Sequence, residues 1–364
     1  MAQAQKNRDW LGLVALVCRV LFAVTFIVSG ALKAIDPWGT FLSVRNYFVA
    51  YSLDMPVQEL GMSLSILLGG FELALGVMLL LNVARSITSI AALALMPIFT
   101  IITLLSATAF PIEDCGCFGE LIKLKPWQSF AKNIVLLLMA VVVWYYHRKE
   151  QFSLSKKDIV AIPIIVAAAM SLGVYSYRHL PIFDTLPYKK GVNIAEEMAK
   201  TRAQQASERV VLVYRNNVTN ELHEFSVDDT EWQNDSLWMW VDTRLERLER
   251  NSAPTVVEFY VGNNEGDKTA EVLSAPRIYM LFMATMQLDN EVRQRFDAVE
   301  RHAEQSGVEL VYVTPEDISS ASSVYPILNM DPKTMKTMLR ADYGLIVLEE
   351  GEIVEKYNFR DIPY

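Results

Sequence analysis

Ile87–Phe110 reads ITSIAALALMPIFTIITLLSATAF, Pro111–Pro126 reads PIEDCGCFGELIKLKP, and Trp127–Tyr146 reads WQSFAKNIVLLLMAVVVWYY. The outer two strings are apolar and long enough to cross a bilayer, which takes about 20 residues of helix. The middle string is polar and holds Cys115 and Cys117, two of the three cysteines of the chain. The stretch therefore reads as a helical hairpin in a membrane, with a pair of thiols on the connection at its end.

Three more runs of the same kind flank this hairpin. Leu11–Lys33 and Ser63–Leu81 precede it, and Ile159–Tyr175 follows. The last is the shortest. With Pro163 placed in its first turn, where proline is tolerated, it reads as a fifth span or as an interfacial helix. Half of the 364 residues are hydrophobic (52%), and the mean hydropathy is +0.21. Residues 1–176 carry a net charge of +3 and residues 177–364 one of −12, together the −9 of the whole chain. A near-neutral membrane part is thus joined to an acidic soluble part, and the acidic part repels phosphate backbones, which argues against nucleic acid as a partner.

Basic residues in short connections set the orientation. Lys6 and Arg8 precede the first span, Arg85 lies between the second and third, and His147, Arg148, Lys149, Lys156 and Lys157 lie between the fourth and fifth. With five alternating spans these fall on one side, expected to be cytoplasmic. Lys123 and Lys125 are outvoted exceptions. The loop Ala34–Met62, the cysteine loop and the C-terminal half then face out, as in a multi-pass protein of a bacterial inner membrane with a periplasmic C-terminal part. The first run lacks a small-residue cleavage site matched to a short apolar core, so it reads as a retained helix.

Polar groups inside spans are costly and usually face a bundle interior. Arg19 in the first span and Glu72 in the second are expected to pair, either as a structural ion pair or as a proton or substrate site. Gly69, Gly70 and Gly76 would let helices approach closely, and Pro97 should kink the third span. Cys18 lies roughly 20 Å below the outer end of its helix at 1.5 Å per residue, too far from the loop for a disulfide, which needs Cα atoms within about 7 Å. It reads as a small buried apolar residue.

Cys115 and Cys117 are one glycine apart. A bridge across that spacing closes a tight ring that is easily reduced, which suits exchange better than stapling. Glu113, Asp114 and Glu120 nearby raise thiol pKa and oppose nucleophilicity. A zinc site would need three or four ligands, and of the four histidines only His179 would lie near this face. The residues alone leave open a redox pair, a structural loop and a metal site.

The strings RVLFAVTFIVSGALKAIDPWG, GGFELALGVMLLL and DCGCFGE followed by KNIVLLL resemble those of the DoxX/MauE-type small membrane proteins, over about the first 150 residues. The resemblance implies a four-helix bundle and a link to thiol or sulfur redox. For MauE-type members it implies support of disulfide formation in a secreted dehydrogenase during methylamine utilisation. It carries Cys115 and Cys117 over as the catalytic redox pair and Arg19 and Glu72 as polar family positions. The fifth span and the soluble part are additions.

In the soluble half, His179–Pro187 reads as an extended linker and Asn193–Ser207 as a helix. Arg209–Arg215, Glu221–Val227 and Leu237–Asp242 read as strands, with a hairpin-type turn at Asn216–Asn220. Trp232, Trp238 and Trp240 read as core or rim packing in preference to a ligand box. Beyond Pro254 strands and helices alternate. Thr255–Val261, Arg277–Met286 and Val308–Thr314 read as strands, and Asp267–Leu273 as a short connection. Asn290–Gln305 reads as an amphipathic helix with Val292, Phe296, Val299 and His302 inward, ended by Gly307. Helical stretches at Pro315–Ile327 and Thr334–Arg340 lead to a hairpin turning at Glu350-Gly351. VVEFYV…GDKTAEVL, RIYMLFMATM and GLIVLEEGEIVEKY resemble the entry, central strand and closing hairpin of the thioredoxin/peroxiredoxin-like fold over residues 254–364. Where that family carries cysteines after the central strand, this chain has Thr285–Asn290 without one, and Arg340–Tyr343 replaces the family's proline. The resemblance implies a domain that binds a partner protein and does no thiol chemistry.

The fold class is thus multi-domain: an all-α transmembrane bundle of four helices (1–150) plus a fifth span (151–178), a linker and β-rich region (179–253), and an α/β thioredoxin-like domain (254–364). The leading function is periplasmic thiol–disulfide exchange through Cys115 and Cys117 as a possible oxidoreductase, with a periplasmic protein and the bilayer as partners. The sequence identifies no cofactor and no metal; a quinone or another membrane carrier would reoxidise the pair. The alternative is a non-enzymatic scaffold with a structural cysteine loop, and a third reading is a small-molecule transporter working through Arg19 and Glu72.

Overall fold

The computed structural model describes residues 2–51, 58–109, 124–148, 154–184, 186–206, 208–227, 229–247, 259–316 and 323–364. Six helices come first: α1 (Ala2–Ile35), α2 (Pro37–Ala50), α3 (Gln58–Leu81), α4 (Arg85–Thr108), α5 (Pro126–His147) and α6 (Lys156–Arg178). All but α2 are long and apolar enough to cross a membrane. Their faces fit that reading. Leu13, Leu16, Val17, Leu21, Val24 and Val28 form an exposed stripe along α1, a face for lipid, since water would penalise so much apolar surface. The five expected spans are all present.

Two expectations about these helices are corrected. The supposed loop Ala34–Met62 contains α2. Asp36 caps it, accepting a hydrogen bond from Gly39 N at 2.9 Å, and Pro37 occupies the first turn, where its missing N–H costs nothing. The helix α6 begins earlier than expected, at a capping box in which Ser155 and Asp158 satisfy each other's backbone N–H. Pro163 therefore lies inside the helix, beyond its first turn.

The bundle core is Phe22, Ala23, Phe26, Leu75, Leu79, Ala92, Met96, Leu136 and Ala140, contributed by α1, α3, α4 and α5. Phe22 and Phe26 stack at 4.3 Å. The helix α1 runs against α3 at glycine contacts. A Cβ on Gly30 would collide with the backbone of Leu73, and one on Gly76 would lie 2.8 Å from Ile27 N. Gly69 meets Lys33 and Ala34, and Gly70 meets Met170 of α6. The expectation that Gly69, Gly70 and Gly76 mark close approach holds for all three.

The rest of the chain mixes helix and sheet. After α7 (Ile194–Ala206) comes a three-stranded antiparallel sheet, β1 (Glu208–Asn216), β2 (Leu222–Ser226) and β3 (Trp238–Arg247), with β1 central. One face gathers Tyr214, Phe225, His223, Trp238 and Trp232 as neighbouring rings, 4.7–5.9 Å between centroids. That is the packing expected of Trp232 and Trp238. Trp240 instead stands out, with Nε1 donating to Thr243 Oγ1 at 3.1 Å.

A seven-stranded sheet follows: β4 (Gly262–Asn263), β5 (Gly266–Asp267), β6 (Ile278–Met283), β7 (Glu309–Thr314), β8 (Ile327–Asn329), β9 (Tyr343–Glu349) and β10 (Glu352–Asn358), in the order β10-β9-β6-β7-β8-β4-β5. Helices α8 (Thr269–Ser274), α9 (Asn290–Ser306) and α10 (Pro332–Leu339) connect them. The strands β6 and β7 are parallel across α9. Every residue of β6 is buried, as a strand covered on both faces requires. The turn Glu350-Gly351 has positive φ at both positions, the primed geometry that matches strand twist.

Val292, Phe296 and Val299 are buried on α9 as expected, but the fourth inward residue is Ala303. His302 stacks on Tyr364 at 4.0 Å between ring centroids. The helix expected over Pro315–Ile327 is not found at its described ends, and Ile327 opens β8. The strand expected at Thr255–Val261 lies mostly outside the described residues; Phe259 and Val261 are buried just before β4. The chain divides into two compact units. One comprises Met1–Thr185, Leu339–Gly344 and Tyr357–Pro363; the other comprises Leu186–Met338, Leu345–Lys356 and Tyr364.

Candidate functional site

Glu72 is the one carboxylate in the middle of α3, flanked by apolar residues that make the helix a span. Its side chain is 2% exposed and needs charge or donors nearby. Lys33 supplies both. Its Nζ donates to the two carboxylate oxygens of Glu72 at 2.6 and 2.7 Å and to Ser29 Oγ at 3.2 Å. Ser29 Oγ in turn donates to Glu72 Oε2 at 2.7 Å. Ser29 and Lys33 are one helical turn apart, so they present both groups to one point on α3. The ring of Phe99 on α4 faces the ammonium at 5.9 Å. Gly30 and Gly69 flank the pair and bring the two backbones close enough for short bonds.

The expected partner of Glu72 was Arg19, and this is corrected. The α1–α3 register sets Gly30 beside Glu72 and Leu73. Arg19 precedes Gly30 by three turns, roughly 16 Å along the helix at 1.5 Å per residue. It is half-buried, and its Nε has no hydrogen-bond partner among the described residues. Lys33 had been read as the end of the span. The spacing Ser29–Lys33 within SGALK was the signal that could have found it. Cys18, expected to be buried, is partly exposed and free.

Cys115 and Cys117 lie outside the described residues. The helices that carry their connection are described. Thr108 ends α4 and Pro126 begins α5. The two helices are tied near those ends by Asn133, whose Nδ2 donates to Thr103 Oγ1 at 3.1 Å and to Phe99 O at 3.2 Å. Thr103 Oγ1 donates to Phe99 O at 2.8 Å. Thr100, Thr103, Ser106, Ser129 and Asn133 are all buried. The α4–α5 seam is therefore polar from the helix ends to the depth of Phe99, and apolar below it at Met96, Ala92, Leu136 and Ala140.

Asp36, one turn beyond Lys33, holds a second charged contact. Arg340, 1% exposed, lies 3.2 Å from it through Nη2. In the same unit His179 Nδ1 meets Asp361 Oδ1 at 2.6 Å, and Asn358 donates to His179 O at 3.4 Å. Among the described residues no three His, Cys, Asp or Glu side chains gather as a metal site.

Residues 11–146 match the family model described as methylamine utilisation protein MauE. The chain is also 30% identical over 125 residues to Protein TlpB of Flavobacterium psychrophilum, a stretch that makes up 33% of each chain. The chain thus spans about a third of the length of the curated relative it matches. No solved structure matches it. The membrane part is accordingly MauE-like, and it is followed by an α/β region with two sheets.

Proposed function

We propose that the protein is a DoxX/MauE-type component of a bacterial inner membrane that exchanges disulfides with a periplasmic protein through Cys115 and Cys117. The observation that carries this reading is the position of the two cysteines. They are one residue apart in the connection between two packed spans, in a segment similar to MauE.

The exchange is written as follows. A partner thiolate attacks one sulfur of the Cys115–Cys117 disulfide, and the other sulfur leaves as thiolate and takes a proton. The partner's second thiolate breaks the mixed disulfide, so the partner leaves oxidised and the loop leaves as two thiols. Two electrons and two protons then pass to a membrane carrier such as a quinone, which restores the disulfide. The C-terminal α/β region serves as the partner-binding part, in a thioredoxin-like fold. The order β10-β9-β6-β7, with β6 and β7 parallel across α9 and a closing hairpin, supports that fold. The absence of cysteine from residues 177–364 excludes thiol chemistry there and is consistent with a binding role.

Alkylation with a mass tag in isolated membranes tests the reading, with Cys115→Ser/Cys117→Ser as the reference. Cys115 and Cys117 are expected to cycle between oxidised and reduced as a secreted dithiol protein is added and consumed, while Cys18 stays reduced. A pair that holds one oxidation state throughout sinks the reading.

A further inference from the structure

The Lys33–Glu72–Ser29 cluster has no part in the exchange described above. We infer that it is a protonation site, and that its proton exchanges with the side of the membrane from which residues 109–125 emerge, through the polar seam between α4 and α5. The inference stands apart from the thiol chemistry and needs no step of it.

Three observations carry it. The first is the cost of the cluster. A lysine and a glutamate, each at least nine-tenths buried in a spanning bundle, are expensive to desolvate, and their attraction roughly repays that cost only with full hydrogen bonding. Apolar residues of the same volume would pack there more cheaply, so the charges point to use. A proton moved from Lys33 to Glu72 leaves two neutral groups, and the Ser29 hydroxyl can donate or accept in either state.

The second is where the seam stops. Buried hydroxyl and amide groups occupy the facing surfaces of α4 and α5 from their ends down to Phe99 and Asn133. Phe99 is the residue whose ring faces Lys33 Nζ. One turn deeper the same surfaces carry Met96 and Leu136. Polar lining thus reaches the depth of the ion pair and gives way to Met96, Ala92, Leu136 and Ala140, with buried polar groups returning only at Thr88, Ser89 and His147 near the opposite ends.

The third is Ser129. It is fully buried, and its Oγ has no hydrogen-bond partner among the described residues. It lies one turn from Asn133 toward the start of α5. Buried hydroxyls without protein partners are ordinarily satisfied by water. Water at Ser129 would join the Asn133–Thr103 link to the surface.

The charged group facing Glu72 is Lys33. Among the described residues the ring of Phe99 on α4 faces Lys33, and α6 meets α3 through Met170 at Gly70 and Gly173 at Ile66. Asp36 and Arg340 face each other beyond the next turn. Lys33 is thus the charged side chain in direct contact with Glu72.

The test uses the full chain in lipid vesicles, with the carboxylic acid band of Glu72 followed by infrared spectroscopy and identified by its loss in Glu72→Gln. An acid step on the loop side is expected to raise this band quickly, and the same step on the opposite side slowly. In Lys33→Met the band is expected already at neutral pH. In Asn133→Leu the rise should slow by about tenfold, the equivalent of one lost polar contact along the route. If Asn133→Leu fails to fold, Thr103→Val, which removes one hydroxyl at nearly constant volume, carries the comparison. The inference is overturned if no Glu72 band appears wherever the protein stays folded, or if it rises at the same rate in the seam variants and the wild type. Thiol cycling in Glu72→Gln is scored separately, so either reading can fail alone.

Discussion

Arg340 holds φ +54 immediately after α10, the left-handed position at a helix end where glycine is favoured. A side chain with Cβ costs about 1 kcal/mol there, and a buried guanidinium costs more unless it is paired. Its contact with Asp36 is the compensating gain. Arg340→Ala keeps the backbone strain and removes the pair, and should lower stability by about 3 kcal/mol. Arg340→Gly removes the strain as well, and should be milder by about 1 kcal/mol. Asp36 has a second duty as the cap of α2. Asp36→Asn keeps the cap and weakens the ion pair, whereas Asp36→Ala loses both and should cost about 1 kcal/mol more. Thermal unfolding in detergent ranks the four variants; equal melting temperatures for Arg340→Ala and Arg340→Gly would refute the strain argument. The ion pair was not legible in the sequence, because the partner of an aspartate three hundred residues away depends on the folded chain. The same holds for Glu72. Its burial was readable from GGFELALG, but the choice between Arg19 and Lys33 depends on the α1–α3 register, which the close contact at Gly30 fixes.

At the level of elements the periodic signals served well. Five apolar runs became five helices, and of the run RIYMLFMATM the stretch Ile278–Met283 became the fully buried β6. The helix α2 is announced in the sequence only by Asp36-Pro37, a helix-start signal, and lies in a stretch too short to show as an apolar span. The end of α9 carries a different lesson. Glu300 accepts a hydrogen bond from Tyr312 OH, and Glu304 accepts one from Tyr325 OH at 2.9 Å. Burial first, and then the neighbouring carboxylates, push both phenols up, Tyr325 to about 12. A phenol whose folded pKa exceeds its unfolded value of 10.0 binds its proton more tightly when folded. That stability is fully present below pH 10 and is lost as pH rises toward 12. The C-terminal region should therefore lose stability across this window, and Tyr312→Phe with Tyr325→Phe should flatten the loss. Denaturant titrations at stepped pH measure it. A double variant with the wild-type slope would remove these phenols as the cause. Within the membrane part, Gly30→Ala tests the α1–α3 contact. The added methyl meets backbone that cannot move aside, so the helices must part. A cost of about 1–3 kcal/mol is expected, together with loss of the Lys33–Glu72 bonds and an altered Glu72 band.

Over the whole molecule, an odd number of spans puts the two ends of the membrane part on opposite sides. Lys6, Arg8, Arg85, Arg148, Lys156 and Lys157 then share a side, the one that basic residues mark as cytoplasmic. The connection from Thr108 to Pro126 leaves from the opposite end of the same helices. So does the chain beyond Arg178, the last residue of α6. By this charge bias alone we propose that the connection after α4 and the chain after α6 both leave on the outer side. A membrane-impermeant maleimide applied to intact spheroplasts after mild reduction should label Cys115 and Cys117 without permeabilisation. Cys18 lies toward the start of α1 and should label only after the membrane is opened. Protease added from outside should digest the acidic C-terminal half and spare the spans. The two assays read different parts of the chain, so they check each other. Labelling of the loop thiols only after permeabilisation, with the C-terminal half protected, would invert the molecule and put its thiols in a reducing compartment, where a disulfide-donating role has no driving force.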